Sequence, residues 1–270
     1  MQRIPQIVFL LFFVAIGLVA QDSTYQQPTV LPVQADRFEV DQLQNIYLIK
    51  EDHIFKLNPA GLPIMDYANP RLGTLGQVDA SNPFSVVLFY PEFMSIVTLD
   101  RNMTETGQFN LFDLDILRTS AVGTASDNNL WVFDEVNSKL LKVGREGEIV
   151  TEGQNLYLLL NRPLRPDFLR EHDQLVYVNE PELGILVFDV FGKYLKTIPL
   201  TGLDRFQFFG NRLFYQDAGD WQAFHLKTLL SKPLPLPLTV RKEAPLQWSV
   251  DKLYVLEPKG LWIYPLTKNK

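Results

Sequence analysis

Short runs of apolar, β-branched and aromatic residues recur along the whole chain, separated by small clusters of Asn, Asp, Gly and Pro. Six of them are Ile46-Tyr47-Leu48-Ile49, Val86-Val87-Leu88-Phe89-Tyr90, Leu130-Trp131-Val132-Phe133, Leu175-Val176-Tyr177-Val178, Leu213-Phe214-Tyr215 and Leu253-Tyr254-Val255-Leu256. Their first residues lie 40, 44, 45, 38 and 40 positions apart. A polar turn precedes each, as in Asp127-Asn128-Asn129 and Asp173-Gln174, and turn formers between two apolar runs predict a hairpin. A second run follows in every unit: 54–57, 95–99, 139–143, 185–188, 222–226 and 261–264. Four units then carry a glycine, Gly61, Gly107, Gly147 and Gly192, expected to turn the chain into a further extended run. No stretch has the period of a long amphipathic helix, and the apolar segment 155–160 reads as an extension of the strand before it.

Counting the strand before each polar turn, the unit is four antiparallel strands in about 40 residues, the size of a β-propeller blade. Each blade has two apolar faces and must bury both against neighbours, so the ring has to close. The sixth unit runs out after three strands, at Lys270. At the other end, residues 28–33 (PTVLPV) form an unassigned apolar strand ahead of the first unit. Placed as the outer strand of the last blade, they complete six blades and tie the termini together. Pro28 and Pro32 suit such an edge, as do Pro233, Pro235 and Pro237 on the outermost strand of the fifth blade. The fold expected is therefore all-β, a single six-bladed propeller over 28–270. Two β-sandwich domains are the rival, disfavoured by a spacing that never breaks.

The third unit, Asp127-Asn128-Asn129-Leu130-Trp131-Val132-Phe133-Asp134 with Lys139-Leu140-Leu141-Lys142-Val143 and Gly147, resembles the blades of the TolB-like and NHL-repeat propellers. The fourth repeats it as Leu175–Asn179, Ile185–Asp189, Gly192 and Tyr194–Pro199. The resemblance spans 28–270, with units two and five degenerate. It implies the fold and a bacterial, periplasmic setting, and leaves function open because the group mixes enzymes, ligand binders and scaffolds.

The first twenty residues are an address. One basic residue, Arg3, precedes Ile7–Ala20, IVFLLFFVAIGLVA. That run is shorter than the roughly 20 residues a spanning helix needs and has the parts of a secretory signal peptide. Cleavage after Ala20 leaves 21–27 as a flexible lead-in, with an uncleaved anchor as the alternative. The mature chain then has no membrane-spanning segment and works in the periplasm or outside the cell. The chain has no cysteine, which excludes disulfides, thiolate metal sites and a cysteine nucleophile. Its net charge of −6 argues against nucleic acid as a partner.

Candidate chemistry is sparse. His53, His172 and His225 fall at three different phases of the repeat, which does not build a shared metal site. The acidic pairs Asp113/Asp115, Asp134/Glu135, Glu180/Glu182 and Asp217/Asp220 each sit within one blade, as solvated loops do. There is no nucleophile elbow, phosphate loop or zinc-protease motif. No catalytic residue, metal or cofactor is therefore assigned.

One pattern stands out. Every connection from an outer strand to the next inner strand, or the first residue after it, holds an arginine: Arg37, Arg71, Arg118, Arg162 with Arg165, Arg205 and Arg241. These connections all open on one face of a propeller, as do the second-to-third-strand loops expected to hold Tyr90, Phe93 and Trp221. Arginine and aromatic residues together are favoured at binding hot spots. The competing expectations are private pairing of each arginine with a nearby carboxylate, and burial of the aromatics between blades. The reading reached is a non-enzymatic, exported interaction platform whose partner is an envelope or secreted protein. The alternative is carbohydrate or anion binding, or hydrolysis, in an axial pocket.

Overall fold

The computed structural model describes residues 24–267; the expected signal sequence lies outside the described residues. Six four-stranded antiparallel sheets follow one another around an axis as a six-bladed β-propeller. Blade 1 covers 37–68, blade 2 77–110, blade 3 122–152, blade 4 168–198 and blade 5 206–233. Blade 6 is built from 246–265 and closed by Thr29–Leu31, which pairs antiparallel with the third strand, Thr29 opposite Ile263 and Leu31 opposite Leu261. The first strand of the fold is thus the outermost strand of the last blade. The pairing continues upstream, since Tyr25 bridges to Leu266 and the Gln26 amide donates to the Pro265 carbonyl at 2.8 Å. The end of the expected flexible lead-in is therefore held as sheet.

Burial is distributed between blades, because each sheet presents two apolar faces. Trp131 and Phe133 point from blade 3 to Val176, Val178 and Phe188 of blade 4, while Leu130 and Val132 point back to Val87 and Phe89 of blade 2. Tyr47 and Ile49 likewise face blade 2, and Ile46 and Leu48 face blade 6. Alternation along the second strand of each blade is thus buried on both sides, which explains why those runs read as uninterrupted apolar sequence. Each such side chain contributes about 1.5–3 kcal/mol.

The turns follow from short polar side chains folding back on the backbone. Asn58, Asp100 and Asp189 end their third strands and each accepts from the amides two and four residues on. Gly61, Gly147 and Gly192 supply the left-handed residue of that turn. In blade 2 the expected Gly107 lies inside the outer strand Glu105–Asn110, and Met103, buried with φ 59°, turns the chain instead. Two further expectations are corrected. Residues 155–160 do not prolong a strand: Leu156–Leu160 is a single helical turn, α1, capped by Asn155, which accepts from the Leu158 amide, and by Asn161 in the left-handed region. Of the three prolines assigned to the outer strand of blade 5, only Pro233 is in it, since that strand is Ser231–Pro233. Among the described residues no helix is long and apolar enough to cross a membrane.

Candidate functional site

The innermost strands face the axis. One residue from each blade, lying across from Tyr47, Val87, Trp131, Tyr177, Phe214 and Tyr254 of the second strands, points the same way around the ring: Glu39, Asp79, Gly123, Arg170, Gln207 and Gln247. An inner strand has a free edge whose N–H and C=O groups would go unpaired where water is excluded. The glutamines meet that need. Gln247 accepts from the Val40 amide at 2.8 Å and donates to the Val40 carbonyl at 2.9 Å. Gln207 does the same with the Trp248 amide and the Leu246 carbonyl. Gln77 joins blade 2 to blade 3 through the Val122 amide and the Ser120 carbonyl. Gly123 lets the inner strands of blades 3 and 4 approach, for a Cβ there would stand 2.6 Å from Leu169 Cδ1.

The three charged members converge across the axis. Arg170 hydrogen-bonds the Asp79 carboxylate and lies 3.9 Å from Glu39, which is also 3.5 Å from Arg205. Asp79 accepts further from the Thr124 and Ser81 amides, each at 2.9 Å. Burial opposes ionisation of Asp79, yet the Arg170 guanidinium and these hydrogen bonds outweigh it and hold the carboxyl below its usual range. For Glu39 burial wins and its pKa is raised, although Arg170 and Arg205 pull the other way. Beside them lies a narrow crevice lined by Gln77, Asp79, Phe168, Arg170 and Arg205. Polar groups from several blades do converge, as an axial ligand site requires, but they are spent on one another and on backbone.

The face holding the outer-to-inner connections, here the connector face, is different. Of the arginines expected there, Arg118 pairs with Glu135 at 2.9 Å, Arg162 with Glu182, Arg205 with Glu39 and Arg241 with Glu257 at 2.7 Å. Arg37 donates to the carbonyls of Leu75 and Gly76, tying blade 1 to blade 2. Arg71 and Arg165 are exposed, and their side chains make no ion pair or hydrogen bond among the described residues. Of the aromatic candidates, Phe93 is half exposed on the turn Pro91–Phe93. Tyr90 is not a surface residue, and Trp221 is half-buried. Tyr90 ends a second strand fully buried, its hydroxyl pushed up to about 12 by burial, and Trp221 lies in a strand packed edge-on to Trp248, 5.0 Å between rings. The histidines are separate as expected from their phases: His53 pairs with Asp66, His172 stacks on Phe208, and His225 caps the turn after its own strand.

Apart from Phe93, sequence reasoning missed the apolar side of this face. Phe93, Phe112, Leu117, Val136 and the α1 residues Tyr157, Leu158 and Leu159 are all large and exposed, with Leu158 at 81%. All seven lie on connections of blades 2 and 3. The segments that carry them are joined in order. Asn110 donates to the Phe93 carbonyl, the Glu135 amide to Arg118, and the Leu156 amide to Ser138. The result is one apolar arc across neighbouring connections; among the described residues, Leu238 is the large exposed apolar residue on the remaining connections. The readable signal was α1 itself, Leu-Tyr-Leu-Leu-Leu between two asparagines, which is too short to bury more than one side of itself.

No protein-family model and no characterised protein matches the chain in sequence. Its likeness is to solved structures. The WD40 domain of Neurospora crassa Pan2 superposes with a TM-score of 0.64 at 10% identity, covering 93% of this chain and 98% of that one. A streptogramin B lyase superposes at 0.59 and 14% identity, over 85% of this chain and 78% of the other. A catalytically inactive virginiamycin B lyase from Staphylococcus aureus with quinupristin gives 0.59 and 14%, over 89% and 88%. At such identities the likeness is one of fold: the chain is a β-propeller.

Proposed function

We propose that this protein is an exported interaction platform of the cell envelope that docks a protein partner on its connector face. The observation that carries the reading is the arc from Phe93 to Leu159. A contiguous run of large exposed apolar side chains on one sector of a water-exposed ring is the mark of a surface that is covered in use. The unpaired guanidiniums of Arg71 and Arg165 on the same face add cationic anchors suited to acidic groups of a partner. Export rests on the apolar stretch Ile7–Ala20 behind Arg3.

The test is a photo-crosslinking residue placed at Leu159 and, as control, at Leu62 on the opposite face, with and without Leu158→Asp, followed by recovery from envelope fractions. Crosslinked partners at 159 and none at 62 are expected. Leu158→Asp should lose the same bands while its thermal unfolding stays within about 0.5 kcal/mol of the parent, as for an exposed site. Equal recovery by the parent and Leu158→Asp would overturn the reading.

A further inference from the structure

The arc has a charge order as well as an apolar centre. Its blade 2 end carries Asp113 and Asp115, both exposed and without an ion pair among the described residues. Leu117, Val136 and Leu158 follow. The far end, beyond α1, carries Arg162, held by Glu182, and the unpaired Arg165. An apolar strip that is acidic at one end and basic at the other is complementary to itself. A two-fold axis lying across its middle sets each acidic end against the partner's basic end and the two apolar centres together, which is the geometry of an isologous contact.

We infer that the partner covering the arc is a second copy of this chain. The inference rests on the reading above that the arc is a docking surface, and it names the occupant. Size agrees. The connections 91–94, 111–118, 135–138 and 155–165 supply residues on the order of the 20–30 per side that a stable interface uses. Charge favours a twin over an unrelated chain, since a copy presents the matching ends in reverse order by symmetry alone.

Sedimentation velocity of the purified chain over a wide concentration range tests this. The parent is expected to dimerise. Asp113→Arg combined with Asp115→Asn leaves both ends basic and Arg165→Glu leaves both acidic, so each variant should weaken the dimer by about tenfold or more. An equimolar mixture of the two should recover association as a heterodimer, because every facing pair of ends is then opposite in sign. The three residues are exposed and without an ion pair among the described residues, so circular dichroism should show an unchanged fold. A parent that stays monomeric throughout, or variants and mixture that all associate like the parent, would overturn the inference. If the parent is monomeric while Leu158→Asp still abolishes crosslinks to a different protein, the second copy is refuted and the platform reading survives. If the parent dimerises and neither Leu158→Asp nor the charge variants weaken the dimer, the second copy does not sit on the arc and the inference falls, while crosslink recovery decides the platform reading separately.

Discussion

Replacing Arg170 by methionine keeps most of the side-chain volume and removes the one positive charge that faces both Asp79 and Glu39 across the axis. Taking away one partner of a buried ion pair costs about 3–5 kcal/mol, because the remaining charge keeps its desolvation penalty. For a chain of this size that corresponds to a fall in Tm of about 6–20 °C at neutral pH. The pH dependence separates a lost counter-charge from lost packing. In the parent, the depressed pKa of Asp79 contributes stability above its unfolded value, and that stability is lost as pH falls through the folded pKa. Glu39 has the opposite sign. Its pKa is raised, so its ionised form costs stability at neutral pH and the cost is relieved as pH falls through the folded value. Without Arg170 both carboxyls behave like Glu39, and acidification lets them fold uncharged. Differential scanning calorimetry at about pH 7.5 and pH 5 should therefore show the gap between Arg170→Met and parent narrowing in acid. Adding Asp79→Asn should cost less in the Arg170→Met background than in the parent, the two changes being coupled. A gap that is constant or wider near pH 5 would refute the electrostatic account and leave only packing.

Two further outcomes test the ring itself. Gln247→Ala strips the Val40 amide and carbonyl of their partners and should cost about 1–3 kcal/mol, with amide exchange at Val40 accelerated before that of neighbouring blades. Gly260 has φ +137°, and a Cβ there would lie 2.1 Å from the Leu31 carbonyl oxygen. Gly260→Ala should therefore release the closing strand, seen as early exchange and proteolysis around Thr29–Leu31 while blade 3 stays protected.

The architecture was legible because its physics is periodic. Inter-blade burial forces the second strand of every blade to be apolar on both sides, so all six showed as runs, and the missing fourth strand of the last unit exposed the closure by 28–33. What escaped was aperiodic or hidden by composition. Residues 155–160 carry no period a six-residue window can resolve, and only the asparagines at each end distinguish a capped turn from a strand. Met103 takes the place of a turn glycine with no compositional sign of it. Glu39 and Asp79 stand seven positions before their second-strand starts, and Gly123 shares that phase, yet three such different residue types do not show as a set in the sequence. Arginines counted as one group divide, once placed, into structural ties such as Arg37 and free cations such as Arg165. Tyr90 differs from Phe93 by a strand end, and that boundary decides between core and surface.

The closing strand has a consequence for how the molecule comes into being. Thr29–Leu31 is the first strand of the propeller in chain order, yet its partners, Leu261–Ile263, belong to the last. Until that last strand is made, the opening strand has no hydrogen-bonding edge to join and blade 1 has no blade 6 beside it. Its closure spans the whole propeller, which makes it entropically costly and late. A growing chain of this kind remains an unfinished arc until the third strand of the last blade is made and the waiting first strand can close the ring.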